Sequence, residues 1–291
     1  RTRGRVVAGL RASVLDIDLE AALRRVEAGQ SLDHSLVIAR NANDDLDRLL
    51  RNGIAQTCDS VAPATIDLLA LLAEHGAANI VVEAIPSNPR GQGEPALSIA
   101  EAALRSKMHF VSANKTSLAH RTADGEEVYW KLQQIAQANG VKYKHESAVM
   151  DGVPIFSLWE HTLPCARLTS IRGCLNSTTT MILTRIEGNI DEGGCDDDHR
   201  GESFQAGLEA ARALGIVEED ESLDVDGYDA AVKLRALLVV LSRASNTPVP
   251  ALDDIPRESI RTVTPEAVRA AYADGRRKYR LVATAELVEG P

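Results

Sequence analysis

The residues best suited to chemistry form an acidic string that ends in a lysine. The string consists of Glu218, Asp224, Asp229 and Lys233. Asp229 and Lys233 are four residues apart, so a helix would place both on one face. Because the flanking positions are apolar, we expect this pair to point into a cleft. Carboxylates can hold an ammonium group, and a lysine can hydrogen-bond a reacting hydroxyl. An ordinary surface ion pair is the alternative.

A second candidate is Lys115, which stands out because lysine is scarce in this chain. The sequence contains 7 lysines and 25 arginines. Lys115 ends the segment Val111–Lys115 (VSANK), directly after an apolar run that predicts a buried strand. Ligands of open parallel sheets bind at the carboxyl ends of the strands, where a cofactor or substrate would meet this lysine. A solvated lysine in a helix-starting turn is the alternative.

Two further segments offer polar groups next to predicted strands. The segment 146–154 (ESAVMDGVP) is a turn that exposes backbone carbonyls and amides, or a simple connection between domains. The segment 173–180 (GCLNSTTT) has small hydroxylated residues before a helix. Helix N-terminal amides and hydroxyls suit a carboxylate or phosphate, although helix capping alone would also explain this composition.

Two other sets of potential metal ligands are weaker. The residues Asp196, Asp197, Asp198 and His199 are consecutive and predict a solvated loop. The four cysteines show no CxxC spacing, so we interpret them as reduced structural thiols.

Alternating strand and helix patterns in the first half must position Lys115. Strands are predicted over Arg5–Ala12, Asn79–Ala84, His109–Ser112 and Val141–His145, and helices over Asp18–Glu27, Ala64–His75, Ala96–Ser106 and Tyr129–Asn139. This order is typical of a parallel α/β sheet with right-handed crossovers. The apolar run Asn79–Ala84 predicts a strand buried on both faces.

The pattern changes near residues 145–152, where we place a domain boundary. Beyond it we predict a strand over Ala166–Leu175, an acidic loop over Gly188–Glu202, and helices over Pro154–His161, Thr178–Glu187, Ser203–Leu214 and Asp229–Ala244. The two predicted domains are residues 1–147 and 148–291.

Composition excludes several classes of protein. The chain has 291 residues, 44% of them hydrophobic, and a net charge of −10. These fractions argue against a disordered chain, and the acidic balance argues against a dedicated nucleic-acid binder. No apolar run is long enough to span a bilayer, and no signal-peptide pattern opens the chain, so we expect a cytoplasmic protein.

Taken together, five motifs resemble the homoserine dehydrogenase family. They occur in the family's order and approximate spacing, and the likeness covers roughly residues 79–245. The motifs are Glu94-Pro-Ala, His109–Lys115, Glu146–Pro154, Gly173-x-Leu-Asn-x-Thr-Thr, and the string from Glu218 to Lys233. Each motif is weak alone, but five in order are specific.

The resemblance implies an NAD(P)-dependent oxidoreductase that interconverts L-homoserine and L-aspartate 4-semialdehyde by hydride transfer. This reaction belongs to threonine, methionine and isoleucine biosynthesis. The implied α/β architecture is a Rossmann-type NAD(P)-binding domain over 1–147, followed by a mixed α+β substrate-binding and dimerisation domain over 148–291. A homodimer is implied as well.

The resemblance also implies roles for individual residues. Lys115 and Lys233 would flank the reacting group, with Lys233 relaying the proton. The substrate ammonium would be held by Glu218, Asp224 and Asp229, and its carboxylate by Thr178. Asn114 and Lys115 would contact the cofactor. A sodium-type site, with mainly backbone carbonyl ligands, would involve Glu146, Val149, Asp151 and Val153.

One expected motif is missing. No G-x-G-x-x-G occurs, and we expect a preceding segment of roughly 30 residues to supply it. After the strand residues Arg5–Leu10, Arg11 stands where an acidic residue would bind the ribose of NAD. An arginine there favours a 2′-phosphate, so we predict NADP over NAD. Two alternatives remain open: an oxidoreductase acting on another small hydroxy acid, and a cofactor-free binding protein.

Overall fold

A computed structural model describes the later part of the chain almost continuously and the earlier part only in short segments. The described residues are 15–17, 37–39, 66, 69–70, 73, 78–85, 87–88, 91–188, 201–217, 220–242 and 249–286. The chain divides into two compact units, Arg1–Ile155 (unit 1) and Phe156–Pro291 (unit 2).

Unit 1 contains a three-stranded parallel sheet in the order β3-β4-β5. Its strands are β3 (Ile80–Glu83), β4 (His109–Ser112) and β5 (Tyr143–Lys144), and its helices are α1 (Ala96–Arg105), α2 (Thr116–Ala119) and α3 (Val128–Ala138). Each crossover between neighbouring strands contains a helix, so the predicted α/β fold is confirmed.

The first part of unit 1 differs from the prediction where it is described. Strands β1 (Leu15–Ile17) and β2 (Val37–Ala39) form an antiparallel pair that we did not predict. The predicted strand Arg5–Ala12 lies outside the described residues, as does all of the helix Asp18–Glu27. Residues 66, 69, 70 and 73 are helical, within the predicted helix Ala64–His75.

The two faces of the sheet are unequally covered. Phe110 on β4 is buried and α1 packs on this strand, whereas Ile80 and Val82 on β3 are 53% and 73% exposed. Side chains alternate between the two faces of a strand, so Ile80 and Val82 lie on the same, uncovered face of the sheet. The prediction that β3 is buried on both faces is therefore wrong, because an apolar run alone does not determine which elements cover it.

Unit 2 is a mixed α+β unit built around one helix. It contains α4 (Ile155–Thr162, which begins at the boundary), β6 (Ser170–Gly173), α5 (Ser177–Glu187), α6 (Phe204–Ala213), α7 (Ser222–Val225), α8 (Tyr228–Leu241), α9 (Pro265–Ala273) and β7 (Ala283–Glu286). Helix α5 packs against α6, α7 and α9, while β6 and β7 pair antiparallel. The core is formed by Ile182, Leu183, Ile186, Leu208, Ala211, Val225, Ile260 and Val268.

Helix α8 is buried over almost its whole surface. All of its residues except Tyr228 and Lys233 are buried. A helix surrounded by protein requires apolar residues on every side, which explains the continuous run Ala236–Leu241. Among the described residues, no helix has both the length and the apolarity that a membrane crossing requires.

Candidate active site

Unit 2 brings three members of the acidic string together around an asparagine. The Nδ2 group of Asn176 donates to Asp224 Oδ1 over 2.7 Å and to Asp229 Oδ2 over 2.9 Å. Lys233 Nζ forms an ion pair with the same Asp229 Oδ2 at 2.9 Å. The fourth member, Glu218, lies outside the described residues. We call these four side chains (Asn176, Asp224, Asp229 and Lys233) the acid–lysine cluster.

A tight reversal between α7 and α8 places the two aspartates side by side. Asp224 lies in α7, and Asp229 lies in the first turn of α8. Gly227 connects the helices with φ at 77°, a left-handed conformation that glycine adopts without steric cost. A Cβ atom at this position would lie 3.1 Å from the carbonyl oxygen of Glu258. Both the turn and its packing therefore require glycine.

The charges of the acid–lysine cluster do not balance. Asp224 and Asp229 are 2% and 3% exposed, and the ammonium of Lys233 pairs with only one of them. Because Asn176 is neutral, these four side chains together carry one net negative charge. Two buried carboxylates beside a single lysine can bind a further cationic group. Lys233 remains 20% exposed, which leaves its ammonium accessible to a ligand.

Asn176 also begins helix α5, where the predicted carboxylate contact lies. Its Oδ1 accepts from the backbone N–H of Thr179 over 2.7 Å and so caps the helix. Thr178 is buried, and its hydroxyl donates to the carbonyl oxygen of Ile216 over 3.0 Å. The hydroxyl hydrogen of Thr178 is thus already used, and the first-turn amides are the better donors for a carboxylate.

Unit 1 has a second asparagine at the carboxyl end of β4. The Oδ1 of Asn114 accepts from the N–H of Thr116 over 3.0 Å and from the hydroxyl of Ser87 over 3.2 Å. Its Nδ2 is buried and finds no acceptor within the part of the chain that the structure describes. Since a backbone N–H can only donate, the orientation of this amide is fixed. A buried donor without an acceptor points to a ligand oxygen.

Buried side chains hold the turn that carries Asn114 and Lys115. Glu83 Oε2 accepts from the hydroxyl of Ser112 over 2.6 Å, and Ser112 Oγ accepts from the N–H of Asn114 over 2.9 Å. Lys115 follows at the start of α2 and is itself buried. Sequence reasoning missed Glu83 and Ser112. The only signal was a carboxylate that ends an otherwise apolar strand.

Tyr143 supports this turn from β5. The hydroxyl of Ser117 donates to the carbonyl oxygen of Asn114 over 3.1 Å, so the Tyr143 hydroxyl donates to Ser117 Oγ at 2.6 Å. Burial raises the pKa of Tyr143 well above its usual value, and the hydrogen bond with Ser117 offsets this only in part. Tyr143 is therefore a neutral donor at any physiological pH.

The predicted sodium-type turn reverses the chain sharply. Glu146 starts a short 3₁₀ turn, and Met150 and Asp151 both have positive φ, at 62° and 51°. The carbonyl oxygen of Val153 accepts from the N–H of Ile155 over 2.8 Å. Within the described residues, no group of three or more His, Cys, Asp or Glu could hold a metal. Backbone ligation at Glu146, Val149, Asp151 and Val153 stays a prediction.

The predicted cofactor residue Arg11 lies outside the described residues. The acidic residues 196–199, predicted to form a solvated loop, lie outside them as well. Asn114 and Lys115 lie in unit 1, whereas Thr178, Asp224, Asp229 and Lys233 lie in unit 2. Sequence reasoning quoted Asn176 only as part of a motif. An asparagine before a hydroxyl-rich helix start indicates a cap, but its contact with two distant aspartates requires the folded structure.

Comparisons with known proteins show which family this chain resembles. Residues 154–290 match the family model described as homoserine dehydrogenase. A homoserine dehydrogenase of Methanocaldococcus jannaschii is 34% identical, and the match covers 68% of this chain and 52% of the relative. An NAD(+)-dependent homoserine dehydrogenase of Pseudomonas canavaninivorans is 30% identical, over 76% of this chain and 56% of the relative.

A solved structure extends the likeness to the fold. A hyperthermophilic archaeal homoserine dehydrogenase mutant in complex with NADPH aligns with a TM-score of 0.53 and 28% identity, over 75% of this chain and 56% of that chain. The chain spans about half the length of the curated relatives named above. From the motifs, the fold and these matches, we conclude that the chain belongs to the homoserine dehydrogenase family.

Proposed function

We propose that the protein interconverts L-homoserine and L-aspartate 4-semialdehyde with a nicotinamide nucleotide. The observation that carries this proposal is the acid–lysine cluster, in which two buried aspartates share one amide and only one of them pairs with Lys233. The cluster offers negative charge to an ammonium group and, beside it, a lysine that can reach a hydroxyl. An amino acid with a side-chain hydroxyl presents both groups.

The described residues fit one end of the cofactor. Asn114 Nδ2 is a buried donor without an acceptor among the described residues, at the carboxyl end of a parallel strand. Asn114 and Lys115 would hold the nicotinamide end, where the bound nucleotide gains or gives up a hydride. The NADPH complex and the NAD(+)-dependent relative each support a nicotinamide cofactor. Our preference for NADP depends on Arg11.

In the proposed reaction, the residues of unit 2 bind and orient the amino acid. Asp224, Asp229 and Glu218 hold its ammonium, and the first turn of α5 at Thr178 receives its carboxylate. Lys233 Nζ hydrogen-bonds the reacting oxygen. Its ammonium donates a proton to that oxygen as the aldehyde is reduced, and in the reverse direction the amine so formed takes the proton back as homoserine is oxidised. Asp229 keeps this ammonium in place from one helical turn away. The role of Lys115 at the reacting group depends on the family resemblance.

Three further features belong to the same proposal. A sodium-type ion at the turn 146–153, a cytoplasmic homodimer, and a place in threonine and methionine biosynthesis are supported by the family resemblance. Activity measured in sodium against choline salts tests the ion. Size-exclusion chromatography with light scattering tests the dimer.

The proposed reaction is tested by nucleotide absorbance with purified protein. We expect L-homoserine to reduce NADP, with a lower KM for NADP than for NAD. A clearly lower KM for NAD would remove the role given to Arg11. Reduction with another small hydroxy acid but not with L-homoserine would favour a different oxidoreductase. Absence of nucleotide binding by calorimetry would favour a cofactor-free binding protein.

A further inference from the structure

We propose that Asn176 is a positioning residue that holds Asp224 and Asp229 in place as a seat for one ammonium group. The inference rests on the proposed function, because it assigns the ammonium of the substrate to these two carboxylates. It adds a residue that contacts neither the reacting hydroxyl nor the nucleotide in the proposed reaction. All of the contacts involved lie within unit 2.

The two ends of the Asn176 side chain have different partners. The N–H of Thr179 can only donate, so the atom that faces it is Oδ1 and the group that faces the aspartates is Nδ2. The two hydrogens of Nδ2 diverge in the amide plane, and each meets one carboxylate. The two aspartate oxygens therefore cannot lie further apart than the two hydrogen-bond lengths together.

The neutral charge of the amide is essential to this arrangement. Two buried carboxylates this close repel each other unless a donor between them holds them in place. Asn176 donates a hydrogen bond to each without adding a positive charge. A lysine or arginine in its place would neutralise the negative charge that an ammonium needs. The amide thus steadies both aspartates without adding a positive charge.

The contact with α5 fixes where the two aspartates meet the substrate. Asn176 Oδ1 caps α5, and its carbonyl oxygen also accepts from the hydroxyl of Thr180 over 2.9 Å. Because of these bonds, Nδ2 is anchored to the helix end proposed to receive the carboxylate. One side chain therefore links the seat for the ammonium to the donors for the carboxylate. Such a link fixes the distance between the position for the ammonium and the position for the carboxylate, which must match the distance between these groups in an α-amino acid.

Two variants separate this positioning role from helix capping. Asn176→Ser keeps an oxygen that can cap α5 but has no second donor that reaches both aspartates. Asn176→Ala removes the cap as well. The matched control is Ser203→Ala, since Ser203 Oγ caps α6 by accepting from the N–H of Ala206 over 3.2 Å. This control loses a cap in the same unit and touches none of the cluster residues.

The experiment measures KM for L-homoserine, KM for the nucleotide, kcat and Tm for all four proteins. For Asn176→Ser we expect a rise of at least about tenfold in KM for L-homoserine, equivalent to about 1.4 kcal/mol, with an unchanged KM for the nucleotide and nearly unchanged Tm. Asn176→Ala should show the same rise in KM and a lower Tm. Ser203→Ala should lower Tm only.

Two results would overturn the inference: a wild-type KM for L-homoserine in Asn176→Ser, or a parallel loss in both KM values and kcat. Calorimetric binding of L-homoserine to wild type and Asn176→Ser separates this inference from the proposed function. If the wild type binds L-homoserine without oxidising it, the proposed reaction fails, and the ratio of the two Kd values decides the role of Asn176. If the wild type does not bind L-homoserine, both fail.

Discussion

The two units each place a buried asparagine in a candidate site, and the two asparagines are used in opposite ways. In unit 1, Asn114 Oδ1 accepts from Thr116 and Ser87, while its Nδ2 has no acceptor in the described part of the chain. In unit 2, Asn176 uses Oδ1 to cap α5 and Nδ2 to bind two carboxylates.

The difference shows what each site still needs. In unit 1, the Nδ2 donor of Asn114 lacks an acceptor among the described residues. A neutral polar group of a ligand, such as a carboxamide or a ribose, could supply that acceptor. The acid–lysine cluster in unit 2 has its amide satisfied, and its two aspartates and one lysine give it a formal net charge of −1. The open hydrogen-bond donor in unit 1 would suit a nucleotide. The negative formal charge of the cluster in unit 2 would suit an ammonium group.

The largest expected effect tests the acid–lysine cluster in unit 2. Lys233→Ala should lower kcat with L-homoserine by about 10²–10⁴-fold, because the proton acceptor is lost. The KM for the nucleotide should change little, since this lysine serves the hydroxyl group. Steady-state kinetics checks this, with Lys131→Ala as the control lysine, paired with Glu101 in unit 1. An unchanged kcat in Lys233→Ala would remove this lysine from the mechanism.

A turn variant tests whether the reversal between the two aspartates requires glycine at position 227. Gly227→Ala should lower the free energy of unfolding by about 2 kcal/mol, because it adds left-handed strain and a close approach to the backbone of Glu258. Gly215→Ala is the matched control, since φ is 69° there and a Cβ would meet nothing within 4 Å. The control should lose about 1 kcal/mol. Urea denaturation measures both, and equal losses would contradict the crowding argument.

A third variant tests the open donor in unit 1. Asn114→Asp keeps an oxygen that accepts from Thr116 and removes the Nδ2 donor. We expect KM for the nucleotide to rise about tenfold, as for the loss of one hydrogen bond to a ligand, and KM for L-homoserine to stay unchanged. Ser87→Ala removes a donor to Oδ1 only, so its nucleotide KM should stay close to that of the wild type. A rise in KM for L-homoserine with an unchanged KM for the nucleotide in Asn114→Asp would contradict this role of Asn114.

The smallest effect concerns the other end of helix α5. Burial would raise the pKa of Glu187, but hydrogen bonds from Lys278 and Arg280 outweigh it and hold the pKa below the usual 4.5. The stabilisation is therefore fully present above about pH 4.5 and is lost as pH falls through the lowered pKa. Denaturation between pH 3 and 7 should show a weaker loss of stability on acidification in Glu187→Gln. An equal pH dependence would show that this carboxylate does not contribute.

Local spacing predicted part of the molecule, and long-range contacts account for the rest. The pairing of Asp229 with Lys233 follows from a four-residue spacing that any helix converts into a contact. The strand His109–Ser112 was predicted with its observed bounds because it is short, apolar and flanked by turn residues. The contact between Asn176 and Asp224 spans 48 residues, and no local pattern specifies it.

Exposure was the least predictable property. The run that forms β3 is equally apolar whether one face or two are covered, and Val82 is largely exposed. Helix α9 and strand β7 were also missed. Helix α9 begins with a capping threonine, Thr264, followed by a proline, a start signal that we did not use. Among the described strands, β7 pairs only with β6, from which it is about 110 residues distant in the chain.

The contact between Glu187 and Arg280 has a consequence for how unit 2 is made. The two side chains are 93 residues apart, and the Glu187 carboxylate also pairs with Lys278. During synthesis, α5 leaves the ribosome with a carboxylate whose two cationic partners have not yet been translated. The ion pairs of this carboxylate therefore form only after residue 280 has been translated.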